Sequence, residues 1–148
     1  MTLRRGSAAL ALAAAFVACG SGNPVVHTPP TPLTHRTILG VDVTVHATAN
    51  ITRHTATVEA MDNYYAPTIL RGAPGVRVLL IFRNGGFATH NFTFPALGIN
   101  IDVAPGDIRQ ATVTFPSSGE VPFFCRFHRA SASMIGAVVA DPGIPAPK

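Results

Sequence analysis

The chain has no tryptophan and only two tyrosines, so nine phenylalanines supply most of its aromatic surface. Charge is also scarce: charged residues make up 12% of 148, against 47% hydrophobic. That balance excludes a solvated, disordered chain and leaves enough apolar side chain for one packed domain with modest extensions. No run of Lys or Arg is present, which excludes a nucleic-acid footprint, and no nucleic-acid partner is expected. The formal net charge of +4 and the pI of about 9.8 overstate the basicity. Arg4 and Arg5 stand in a leader, and without them nine cationic residues face seven acidic ones. Cysteine is nearly absent, with Cys19 and Cys125 alone, which excludes a disulfide-dense scaffold. A single Cys19–Cys125 bridge is the plainest reading for a secreted chain, but each cysteine stands in a context that gives it another task.

Long apolar runs are lacking too. The longest, from Ala8 to Ala18, follows a short basic start and is too short to span a bilayer as a helix. Residues 1–18 therefore read as a secretory signal peptide. The run ends in Phe16-Val17-Ala18-Cys19, which resembles the lipobox of bacterial lipoproteins, with Phe16 in place of the usual Leu. The resemblance implies that Cys19 becomes a lipid-modified first residue. The protein is then expected to be exported across the cytoplasmic membrane and lipid-anchored at the cell surface or periplasmic side of a membrane. Residues 19–37, rich in Pro and Thr and without apolar period, read as a flexible tether.

What is abundant is the material of short strands and turns: 13 glycines and 13 prolines among Val, Thr, Ile and Phe. From residue 38 apolar residues alternate, as in Val41, Val43 and Val45, and further strand-length runs follow at 55–60, 77–82, 91–94, 99–103, 109–115, 121–127 and 134–140. Turn signals separate them, and no helical stretch stands out. Residues 38–148 are thus expected to form an all-β, antiparallel Greek-key sandwich or barrel of seven to eight strands. Phe123, Phe124 and Phe127 are expected in its core.

The chemistry lies in FFCRFHRASASM. Cys125 and His128 are three apart, Met134 follows six residues later, and His90 stands 35 residues upstream of the Cys in FATHNFTF. A thiolate, two imidazoles and a thioether are the donors of a trigonal copper site with a weak axial ligand. Soft sulfur suits Cu(I) and imidazole suits Cu(II), so the set favours neither state strongly. A strand end at Cys125, a loop at His128 and a strand start at Met134 can converge on one ion, with His90 arriving from a separate strand or loop. His27, His35, His46 and His54 have no tight ligand spacing and read as solvated or incidental.

Between Thr55 and Asp141 the chain resembles the cupredoxin family, in particular its plastocyanin- and pseudoazurin-like members. The likeness lies in MDNYYAP with the later Gly75, in HNF at 90–92, in the APGD turn, and in the Phe-rich strand entering Cys-x-x-His, followed by Met134 and Gly136. It implies one type 1 (blue) copper ion, Cu(I)/Cu(II), held strongly by His90, Cys125 and His128 and axially by Met134. It also implies that Asn91 ties the two ligand segments together. Five residues separate His128 from Met134, one more than in many relatives. The implied function is single-electron transfer between transient redox protein partners outside the cytoplasm, by a monomer that is not an enzyme. His128 would be the exit for the electron, beside Phe87 and Ala130. Arg126 and Arg129 flank the same pole as solvated charges or as a weak guide for an acidic partner. The alternative is copper storage, delivery or homeostasis at the same ligands.

Overall fold

In the computed structural model, which describes residues 33–148, the period-two pattern becomes twelve short strands among the described residues. The signal peptide, Cys19, His27 and the first part of the expected tether lie outside the described residues. The end of that tether is not linker. Thr34–Ile38 form β1, which pairs antiparallel with β2 (Val41–Val45). Leu39 and Gly40 join them, both at positive φ (53° and 74°), the two-residue geometry whose twist suits a hairpin. Ile38 and Val43 explain the early start: both are buried on one face of this ribbon, and the polar residues before Ile38 pair along with it.

The remaining strands are β3 (Thr48–Ile51), β4 (Thr55–Met61), β5 (Tyr64–Ala66), β6 (Ile69–Gly72), β7 (Arg77–Asn84) and β8 (His90–Phe94). They continue with β9 (Ile99–Val103), β10 (Ile108–Thr114), β11 (Glu120–Phe124) and β12 (Ile135–Ala140). A four-stranded sheet runs β10-β7-β4-β5, and a six-stranded sheet runs β3-β6-β12-β11-β8-β9. The all-β sandwich is as expected. The strands outnumber the seven or eight expected because β1, β3, β5 and β6 are added where the sequence reads as tether, turn or loop. The pairing is also not wholly antiparallel: β4–β7, β3–β6 and β6–β12 run parallel. After β4 the chain makes β5 in the same sheet and β6 in the other, and it returns to lie beside β4 in the original direction.

Phenylalanine fills the space between the sheets in place of tryptophan. Phe82, Phe92, Phe94 and Phe123 are fully buried, with Phe82 stacked on Phe92 at 4.3 Å and Phe94 on Phe123 at 4.7 Å. Each ring so buried contributes roughly 1.5–3 kcal/mol through the hydrophobic effect. Gly136 faces Phe123 across the β11–β12 pair, and a Cβ there would lie 2.3 Å from the ring's Cζ. The glycine is what admits that ring. A smaller cluster of Ile38, Val43, Ile69, Ile135 and Ala137 lies where the hairpin packs on the six-stranded sheet. The Arg36–Glu120 ion pair joins β1 to β11 beside it. No helix of the described residues is long and apolar enough to cross a membrane.

Candidate metal centre

Strand alternation and its interruption place the donors. β11 carries Phe123 inward and ends at Phe124, so Cys125 lies one residue past the strand, on the buried side. Its carbonyl accepts the N–H groups of His128 (3.2 Å) and Arg129 (2.8 Å), which turns the chain back at once. A single helical turn, α1 (Arg129–Ala132), then takes up most of the five-residue gap. Ser133 closes it in the left-handed region at φ 50°. Met134 enters β12 with its carbonyl accepting the Cys125 N–H at 3.0 Å, and its thioether side chain is buried in the same core cluster as Cys125. The extra loop residue is thus absorbed by the helical turn while Met134 keeps its main-chain tie to the cysteine.

His90 opens β8 and is fully buried; its ring centroid lies 5.0 Å from that of His128. Cys125 Sγ stands 3.4 Å from His128 Nδ1. One ligand atom each from His90, Cys125 and His128 lie within 4.8 Å of one another, a span that a single metal ion could bridge. It is the only such group of three or more His, Cys, Asp or Glu among the described residues. His90 Nδ1 is buried without a hydrogen-bond partner. An unmet buried acceptor costs about 1–3 kcal/mol, so a bound ion is the natural partner for that lone pair. Burial lowers the His90 pKa, and hydrogen bonding to Asp62 opposes this only in part. The ring is therefore biased toward the neutral form that binds metal.

Asn91 is also fully buried, and its surroundings are more elaborate than the family pattern implies. Its Nδ2 donates to Asn100 Oδ1 (2.8 Å) and Asp102 Oδ1 (2.7 Å). Its Oδ1 lies 3.5 Å from the Arg126 N–H, the limit of a hydrogen bond. The firmer tie to the cysteine segment runs through Asp102, whose carboxylate pairs with the Arg126 guanidinium. That ion pair, then the bond from Asn91, holds the Asp102 carboxyl below the usual range. From the far side the Tyr65 hydroxyl donates to the Asn91 carbonyl. Burial, then the neighbouring Cys125, pushes the Tyr65 pKa well up, so the phenol stays protonated and remains a donor.

One expectation changes at the rim, and one residue is added there. Phe127 is not core: it is 46% exposed, with the Arg126 guanidinium 4.4 Å from its ring centre. Alternation ends with β11, so residues beyond Cys125 splay outward. Asp62, which the sequence offers only as part of MDNYYAP with no role of its own, hydrogen-bonds His90 Nε2 at 3.0 Å. Nothing in its spacing, 28 residues before His90, pointed to it. Elsewhere, the His46 ring stacks on Tyr64 at 3.7 Å and His35 faces Asp42, so neither joins the donors.

A β-sandwich that brings one buried cysteine and two histidines within reach of a single ion defines a domain of one recognisable class. The model of the cupredoxin-like domain matches residues 36–140, and the chain belongs to that family. No curated protein matches the chain. Among solved structures it is similar to the metal-binding domain of a Streptococcus pneumoniae Cu(I)-exporting P-type ATPase with Cu(I). That similarity has 14% identity and a TM-score of 0.50, and covers 64% of this chain and 94% of that one. It is also similar to dithionite-reduced auracyanin from the photosynthetic bacterium Roseiflexus castenholzii. There the identity is 17% and the TM-score 0.51, with 62% of this chain and 99% of that one covered.

Proposed function

We propose that His90, Cys125 and His128, with Met134 as a weaker fourth donor, would hold one copper ion, and that the protein carries single electrons between redox protein partners outside the cytoplasm. The observation that carries the reading is the buried, unpartnered His90 Nδ1 within a donor group spanning 4.8 Å. A copper ion there would supply a one-electron Cu(II)/Cu(I) couple. The protein's part is to keep the donors fixed through both states. Cys125 is locked by main-chain bonds to Met134, His128 and Arg129, and His90 by its strand and by Asp62. Donors held this way need little rearrangement when an electron moves. Four protein donors leave no position for a substrate, which supports a carrier and not an enzyme.

Carriage is favoured over copper delivery by burial. Cys125, His90 and Met134 are each at most 1% exposed, so the ligands of an incoming apo-partner would have little access to an ion held among them. His128 is the only half-buried member and the natural route for the electron. Phe127 at its side, with the Arg126 guanidinium over its ring, and Phe87, 94% exposed on the loop leading into His90, offer a small apolar face, whereas Arg129 lies over the Phe124 ring instead. Such a face suits the weak, short-lived contacts of redox partners. A lipid on Cys19 would keep the domain at a membrane.

The deciding measurement is the visible spectrum of the purified, copper-loaded protein beside Cys125→Ser. An intense thiolate-to-copper band in the wild type, absent from the variant, is expected. A copper-loaded wild type without that band would overturn the proposal.

A further inference from the structure

We infer that Asp62 is a positioning residue of this metal centre: its carboxylate selects the Nε2–H form of His90 and so aims the bare Nδ1 at the ion, biasing the site toward Cu(II). The inference rests on the copper reading above and adds to it a residue outside the four donors.

The geometry comes from both ends of the imidazole. Asp62 Oδ1 lies 3.0 Å from His90 Nε2, while Nδ1 is buried with no partner in the protein. A carboxylate can only accept, so the ring's proton belongs on Nε2 and the lone pair on Nδ1. The carboxylate is itself held. Its Oδ2 accepts the Phe87 N–H at 2.8 Å and its Oδ1 the Ala88 N–H at 3.2 Å. Gly86 makes the fit possible: a Cβ there would stand 2.4 Å from Asp62 Oδ1 and 3.0 Å from His90 Nε2. The loop from Gly86 to Ala88 thus closes around the carboxylate and presses it against the histidine edge.

A plainer role is open to Asp62, since two main-chain N–H bonds are what any loop-capping acid makes. The two roles differ in consequence. A loop cap needs no contact with His90, whereas a negative acceptor on Nε2–H raises the electron density at Nδ1. A more basic imidazole stabilises the more highly charged metal state. Loss of the charge should therefore raise the reduction potential. Loss of the whole side chain should weaken copper binding by about 10- to 100-fold, the usual consequence of removing a carboxylate behind a histidine ligand.

Two measurements test this. In the copper-free wild type, long-range proton–nitrogen NMR should show His90 as the Nε2–H form; an Nδ1–H form would overturn the inference without reference to any metal. In the copper-loaded protein, Asp62→Asn should keep the visible band and show a higher reduction potential than wild type. An unchanged or lower potential would overturn it. Gly86→Ala, which crowds the same contact from the other side, should shift the potential in the same direction, so the inference can still be judged if Asp62→Asn fails to fold. A wild type that never develops the band would overturn the copper reading, and with it the bias toward Cu(II), while the NMR measurement still decides whether Asp62 sets the tautomer.

Discussion

The Cys125 N–H donates to the Met134 carbonyl at 3.0 Å, so the cysteine and the methionine share one main-chain link across the loop that separates them. That link places Met134 irrespective of the helical turn between. It makes the axial role testable apart from packing.

Met134→Leu keeps the buried volume, and the substitution should cost less than about 1.5 kcal/mol of stability. The visible band should survive, because the thiolate is untouched. The reduction potential should rise, because a thioether donor to the oxidised ion has gone. Voltammetry beside a urea melt separates the two effects. Unchanged potential would reduce Met134 to a core residue.

Tyr65→Phe removes the hydroxyl that donates to the Asn91 carbonyl. Both residues are buried, so no water replaces the donor. The loss should be about 1–2 kcal/mol in urea unfolding. The ring contacts to Phe92 and Phe123, each at 4.9 Å, survive the change, so a loss above about 4 kcal/mol would mean that more than one hydrogen bond is involved.

Much of this was legible before any coordinates. The alternation of apolar residues marks most of the strands, and the spacing of Cys125, His128 and Met134 marks the donor loop. These signals are local, and local patterns survive in a linear reading. The parallel pairings were not legible, because alternation tells which face a residue takes but not which neighbour its strand meets. Asp62 and Asp102 were hidden for the same reason: each meets its partner only after the sheets pack. Thr34 to Thr37 read as tether because these four residues resemble the polar stretch before them, and the buried contact of Ile38, where the expected domain begins, carries them into β1.

Acid should loosen the centre from its rim. Asp102 has its pKa lowered first by Arg126 and then by Asn91. A depressed carboxyl contributes stability that is fully present above its unfolded value, near 3.8, and lost as pH falls through the lower folded value. Asp102→Asn should therefore flatten the acid limb of stability against pH below about pH 4 and leave the neutral limb parallel to wild type. A wild-type acid limb identical to that of the variant would contradict the role given to this pair.

The N-terminal hairpin makes the last prediction, and it follows from period two along β12. Met134, Gly136 and Val138 point to the space between the sheets, whereas Ile135 and Ala137 point outward to Ile38 and Val43. The hairpin therefore supports the strand that follows the donor loop, from the face opposite the donors. Ile38 is 1% exposed, and Ile38→Ala should cost about 2–4 kcal/mol in urea unfolding, the usual range for such a truncation. Because the lost contacts lie on the outer face, the visible band of the copper-loaded protein should keep its position while the unfolding midpoint falls. A shifted band with unchanged stability would place the hairpin's influence on the metal pocket itself, contrary to the alternation that separates the two faces.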